Sequence, residues 1–111
     1  MSGKFELKKS KDGHFLFNLK AANGLIILTS EIYMQKASAE NGIDSVRKNV
    51  LREGAFETKT NVKGEPFFIL KATNGQEIGR SENYSSKAAL ENGIESVKKN
   101  APDAKVEDVT G

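Results

Sequence analysis

The sequence predicts an α+β fold: tandem β-β-β-α repeats forming one antiparallel sheet with two helices on one face. Three observations carry this. Residues 3–49 align with residues 54–100 without a gap, at an offset of 51, and 25 of the 47 aligned pairs are identical, far above chance for unrelated segments. Each unit holds three short stretches of period-two alternation followed by one stretch of helical spacing. Glycine recurs at the same turn positions in both units, at Gly13 and Gly24 and at Gly64 and Gly75.

The first strand is read at Lys4–Lys9, where Phe5 and Leu7 share one face and Lys4, Glu6 and Lys8 the other. A turn at Lys11-Asp12-Gly13 leads into Phe15–Ala21, and Ala22-Asn23-Gly24 leads into Leu25–Ser30. The second unit repeats this plan at Ala55–Thr60, Pro66–Ala72 and Gln76–Ser81. Cross-strand neighbours must share a face. A two-residue Asn-Gly turn sets Leu70 against Gly79 and Ala72 against Glu77, which makes a poor core. A three-residue loop sets Leu19 against Ile27, Leu70 against Ile78 and Phe5 against Leu19. All four hairpins are therefore expected to be type I turns closed by a left-handed glycine.

The helices are expected at about 35–49 and 86–100. Ala39, Ile43, Val46 and Val50 recur with helical spacing, as do Leu90, Ile94, Val97 and Ala101. Ser85 or Ser86 can cap the second helix, whereas the first starts on the weaker Met34-Gln35. Arg47-Lys48 and Lys98-Lys99 lie where cations offset the negative helix end, and Pro102 stops the second helix. Gly42 and Gly93 sit mid-helix at about 0.5–1 kcal/mol each relative to alanine, which implies a close approach of the sheet or of the other helix. Lys105–Thr110 alternates weakly through Val106 and Val109 and is read as a final strand that crosses back to the first repeat.

Composition frames these elements. At 111 residues the chain is expected to be a single domain, residues 1–111, built of two repeats (3–49 and 54–100) plus the strand at 105–110. Each copy alone is near the lower limit for burying enough apolar surface. Hydrophobic residues make up 37% and charged residues 29%, as in an ordinary soluble globular protein. No apolar run approaches membrane-spanning length, which argues against a membrane role. With no cysteine and no signal-peptide core at Met1–Phe5, the expected location is the cytoplasm. Net charge is +2, divided as +3 over residues 1–49, +1 over 54–100 and −2 over 101–111, so no segment has the concentrated positive charge of a nucleic-acid arm.

The pattern Ser-Glu-x-Tyr-x-x-Lys-Ala-x-x-Glu-Asn-Gly-Ile-x-Ser-Val, preceded by Ala-x-Asn-Gly, resembles the YegP-like family of small bacterial proteins over nearly the whole chain, as a tandem pair. The resemblance implies repeats joined in one sheet with the C-terminal strand exchanged between them. It carries over no catalytic residue, because that family is uncharacterised. Met34 departs from the pattern where a Ser or Thr like Ser85 is expected.

No catalytic, cofactor or metal site is read from the sequence. His14 is the sole histidine and stands beside a hairpin turn, where a surface strand residue is the simpler reading than a metal ligand. Ser81, Tyr84 and Lys87 resemble a dehydrogenase triad, but the Tyr-to-Lys spacing is one residue short and no dinucleotide fingerprint exists. Glu40 and Glu91 are read as solvated or paired with Lys36 and Lys87 four residues earlier. Lys63-Gly64-x-x-Phe67-Phe68 has the residue types of a nucleic-acid-binding strand, against which the glycine closes a turn and Phe68 belongs to the core. The sharper clue lies where the repeats disagree. Leu16, Ile26, Leu28, Phe67 and Ile69 fall opposite the core face and Ile32 near its end, a candidate exposed apolar patch because helices cover one side only. The leading expectation is a non-enzymatic module that binds a protein partner or itself, with nucleic-acid binding second and enzyme activity third.

Overall fold

A computed structural model of the chain describes residues 3–111. The elements follow one another as β1 (Lys4–Lys9), β2 (Phe15–Lys20), β3 (Ile26–Ser30), α1 (Lys36–Asn49), β4 (Phe56–Thr60), β5 (Pro66–Lys71), β6 (Glu77–Arg80), α2 (Lys87–Asn100) and β7 (Lys105–Asp108). The seven strands form one sheet in the order β4-β5-β6-β3-β2-β1-β7. The two repeats meet at β3 and β6, where Thr29 pairs with Arg80 and Ser30 with Gly79. Thr29 and Arg80 occupy the same repeat position, so a pseudo-two-fold axis passes between them.

All four hairpins have the expected three-residue loops. Ser10 pairs with His14, Ala21 with Leu25, Asn61 with Glu65 and Ala72 with Gln76, and Gly13, Gly24, Gly64 and Gly75 have φ between 82° and 86°, which a side chain would strain. Phe5 faces Leu19 as expected. The next register corrects the sequence reading. A bulge after the second loop of each unit shifts the ladder, so Leu19 faces Leu28 and Leu70 faces Gly79, with Ile27 and Ile78 as the extra residues. A bulge places two consecutive side chains against one partner. Ile27 and Leu28 therefore both point into the core.

Both helices lie on one face of the sheet. Ala39, Gly42, Ile43 and Val46 of α1 and Leu90, Gly93 and Val97 of α2 are buried against it. Ser86 caps α2 by accepting a 3.1 Å hydrogen bond from the Ala89 amide, while Gln35 makes no side-chain cap for α1. Each tyrosine lies flat on a core phenylalanine: Tyr33 on Phe17 with centroids 6.4 Å apart, Tyr84 on Phe68 at 6.2 Å. Those tyrosines explain the helical glycines. A Cβ on Gly42 would stand 2.5 Å from the Tyr33 hydroxyl, and one on Gly93 would stand 2.2 Å from that of Tyr84. The close approach is thus to the repeat's own aromatic ring rather than to sheet backbone or the other helix.

Two hydroxyls replace ladder bonds where β3 and β6 leave their neighbours. Ser30 Oγ accepts from the Phe17 amide at 2.8 Å and donates to the Glu31 carbonyl at 2.7 Å. Ser81 does the same with Phe68 and Glu82 at 3.0 and 2.7 Å.

β7 crosses back to the first repeat and runs parallel to β1, with Phe5 beside Val106 and Leu7 beside Asp108. The sheet is therefore mixed rather than wholly antiparallel. The place beside β2 is already filled by β1 through a tight hairpin, so β7 takes the outside of β1, and its exit from α2 gives it the same direction. Its ladder stops at Asp108, short of the expected Thr110, although the Val109 amide still donates to the Leu7 carbonyl at 2.8 Å.

Two expectations follow. Gly93→Ala gains helix propensity but drives a methyl into Tyr84, so a net loss of about 1–2 kcal/mol is expected in urea unfolding, partly restored in the Tyr84→Phe, Gly93→Ala double variant. Lys36 pairs with Asp108, and the bond holds the Asp108 carboxyl below its usual range. A depressed carboxylate stabilises above its unfolded value and ceases to do so as pH falls through the folded one. Asp108→Asn should therefore speed hydrogen exchange at Val109 a few-fold at pH 7 and leave it unchanged at strongly acid pH.

Candidate interaction surface

The sheet face away from the helices is crossed by one continuous row of neighbours: Glu107, Glu6, Asn18, Thr29, Arg80, Ile69 and Glu57. Four cations beside this row are paired with carboxylates, while Lys8 and Lys59 on the same face make no ion pair among the described residues. Lys20 meets Glu6 at 3.1 Å, Lys4 meets Glu107 at 3.1 Å, Lys71 meets Glu57 at 2.7 Å and Arg80 meets Glu77 at 3.0 Å. Hydrogen bonds from Lys20 and Lys71 hold the Glu6 and Glu57 carboxyls below their ordinary range. The positive charge is neutralised locally, so these residues make no continuous basic stripe.

The six residues of the expected patch separate. Leu28, at 1% exposure, has left the face for the core through the bulge. Ile69 stays on the face but is only 2% exposed, between Glu57 and Arg80. Leu16 and Phe67 are half-buried, while Ile26 is 43% and Ile32 57% exposed. The axis divides these four. Ile26 and Phe67 flank Arg80-Ser81-Glu82, whereas Leu16 lies toward Ile32 and Glu31. On the first side two shallow hollows share Arg80, Ser81 and Glu82: one of about 670 Å³ beside Leu25, Ile26 and Thr29, one of about 530 Å³ beside Val62 and Phe67. The Arg80 guanidinium stands 5.7 Å from the Phe67 ring centroid. Exposed Leu25 and Val62 complete this cluster and escape the sequence reading, which opens a strand at Leu25 and leaves Val62 in a turn. The same comparison of repeats would find them, since their mates are Gln76 and Lys11.

Across the axis the equivalent place is polar. There Gln76, Glu77 and Glu31 stand where Leu25, Ile26 and Glu82 stand on the first side; the hollow of about 430 Å³ that they border opens toward α1, with Ser38, Asn41, Gly42 and Ser45 in its lining. The Glu31 and Glu77 carboxyls are neighbours across the β3–β6 seam; desolvation and Glu77 raise Glu31, while Arg80 helps hold Glu77 down. Burial also raises the Tyr33 phenol.

The other residues weighed for chemistry do not converge. Ser81 is committed to backbone, Tyr84 to Phe68 and Gly93, and Lys87 starts α2. His14 contacts Asp12 two residues away at 3.4 Å, and Lys36 is paired with Asp108 rather than with Glu40. Gly64 is left-handed in its turn and Phe68 wholly buried.

The Glu31–Glu77 pair has a measurable consequence. Raising Glu31 in the folded state adds stability at low pH that is lost as pH rises through its folded value. Glu31→Gln mimics the protonated form, so the variant should melt a few degrees above the parent at pH 7, with the difference vanishing near pH 4 in thermal scans. A parent that melts higher at neutral pH would exclude a raised Glu31 carboxyl.

Comparisons with known proteins place the chain. The domain of unknown function DUF1508 matches twice, at residues 10–57 and 61–108. A UPF0339 protein of Mannheimia succiniciproducens is 60% identical over 97% of this chain and 96% of its own length, and the UPF0339 protein YegP of Yersinia pestis is 56% identical over the same shares. The solution NMR structure of yegP from E. coli, a protein of unknown function, superposes with a TM-score of 0.94 at 51% identity, covering 100% of this chain and 96% of that one. That of a UPF0339 protein from Shewanella oneidensis gives 0.93 at 47% identity, covering 99% and 93%. With two matches spanning both repeats and relatives alike over their full length, the chain belongs to the DUF1508 family, in its tandem, YegP-like form.

Proposed function

We propose that the protein is a non-enzymatic interaction module of the bacterial cytoplasm, and that it meets a partner protein through the open sheet face at the Leu25, Ile26, Val62 and Phe67 cluster. The observation behind this reading is the grouping of these apolar side chains around Arg80 on the face that neither helix covers. A guanidinium beside an aromatic ring with aliphatic neighbours is the composition that dominates binding energy at protein interfaces. The pairing of Lys4, Lys20, Lys71 and Arg80 with carboxylates leaves Lys8 and Lys59 as separated cations on this face, which favours protein over nucleic acid. The commitment of Ser81 and Tyr84 to structural contacts favours binding over catalysis.

A photoreactive phenylalanine analogue at position 26 tests this in living cells. Irradiation should give one discrete protein adduct, lost when Phe67→Glu is added and missing when the probe sits at Lys11. Adducts to RNA, or equal labelling from position 11, would refute the reading. An adduct of twice the chain mass would identify the partner as a second copy.

A further inference from the structure

Each half of the molecule forms a groove between its helix and its first strand. In the first half the groove is filled by the chain itself. β7 lies along β1, its entry fixed by the Arg47 guanidinium donating to the Ala104 carbonyl at 2.6 Å and its exit by the Lys36–Asp108 pair. Arg47 meanwhile rests 5.2 Å from the Phe5 ring centroid.

The second half rebuilds this groove and leaves it empty. β4 is the outermost strand on its side of the sheet. The repeat mates of Phe5, Leu7, Lys36 and Arg47 are Phe56, Thr58, Lys87 and Lys98. Lys98 takes the stance of Arg47, 5.8 Å from the Phe56 centroid, and among the described residues it meets one carboxylate, Glu95 at 3.8 Å. Lys87 has no carboxylate partner among the described residues. Leu7 directs its carbonyl at β7; by the shared register of β1 with β2 and β4 with β5, Thr58 directs its own at open solvent. Leu90 and Pro66 line a hollow of about 530 Å³ beside this edge, together with Lys59, Lys87 and Glu91.

We propose that the β4–α2 groove binds an extended acidic segment of a partner protein, added parallel to β4 with a carboxylate on Lys87. This goes beyond the open-face reading, because it uses the sheet edge and does not require the Ile26 cluster. Edge strands accept added strands through their free backbone groups, while side-chain pockets give specificity. Here β7, with its Val-Glu-Asp-Val run, shows the kind of segment such a groove holds. A second copy fits less well. Edge-to-edge pairing of two β4 strands would bring together Lys59, Lys87 and Lys98 of both copies, and the second copy's own β7 is held against its β1.

The probe is an acetylated peptide with the sequence of residues 104–111, titrated into the isotope-labelled full chain and followed by amide NMR. Shifts should concentrate at Phe56–Thr60 and the first turn of α2 and saturate in the millimolar range. Lys87→Glu should weaken binding about tenfold or more, the equivalent of about 1.4 kcal/mol, and Lys87→Gln less. Both replace an exposed side chain, and unchanged spectra elsewhere certify the fold. Four results would overturn the proposal: no shifts at millimolar peptide; shifts at Phe5–Leu7 instead, meaning exchange with the chain's own β7; equal binding of a peptide whose acidic residues are lysine; or β4 shifts that follow protein concentration alone with dimers in sedimentation, meaning self-pairing. None of these bears on crosslinking from position 26.

Discussion

The structure depends on a seam only two residue pairs long. β3 and β6 join through Thr29–Arg80 and Ser30–Gly79, and every other strand is placed by pairing outward from them. A seam on a pseudo-two-fold axis brings like positions face to face, and the bulges turn one such position, 28 and 79, toward the core. Leu28 fills that space at 1% exposure. Gly79 leaves it clear: a Cβ there would lie 2.7 Å from the Thr29 carbonyl oxygen and 3.3 Å from Leu28 Cγ. Leucine at both positions would clash, and glycine at both would leave a void costing several kcal/mol. One large and one absent side chain satisfy the axis, an arrangement open to a fused duplicate and closed to a symmetric pair of identical chains.

Much of this fold is legible because the duplication is. Identical residues at an offset of 51 read each element twice; the three-residue loops come out as expected, although the Leu70–Gly79 pairing held against the Asn-Gly alternative is the one that the bulge creates. The bulge is another matter. A one-residue shift leaves no mark on composition and little on alternation, and it reassigns Leu28 from an exposed face to the core. Gly42 and Gly93 announce a close approach, but the nearest partners, Tyr33 and Tyr84, come from the loop preceding the helix, with the sheet's Phe17 ring behind Tyr33 at Gly42. Ile69 shows a further limit of alternation: it stands on the outward face as expected, yet long charged neighbours leave it only 2% exposed.

The candidate surface was legible in kind and misdrawn in extent. Repeat disagreement picks out residues freed from the symmetric core, and of these Ile26 and Phe67 border adjoining hollows. It also joined Leu16 and Ile32 to them, although the axis sets these on the far side. Only register separates the two groups. The two sides have diverged in opposite directions, with Leu25-Ile26 beside Glu82 on one and Gln76-Glu77 beside Glu31 on the other. A homodimer of a single repeat would carry the same surface twice. Fusion allows one side to become apolar while the other keeps a pair of neighbouring carboxyls.

The family unit, residues 10–57 and 61–108, begins in the turn after β1 and ends on the strand after each helix. By that division β4 leaves its own unit to pair with β5 of the next, and strict symmetry would send β7 back to pair with β2. β1 lies outside the unit and occupies that place. Its hairpin closes over three residues, whereas β7 arrives after the rest of the chain, and loop closure is cheaper over the shorter span. β7 is thereby displaced by one strand and covers the edge of β1 in the first half. Among the described residues no strand lies beyond β4, so the two edges of the duplicated fold differ. One edge is capped in cis by an acidic strand, while the opposite edge presents the cationic frame of Lys87 and Lys98 with no described strand against it.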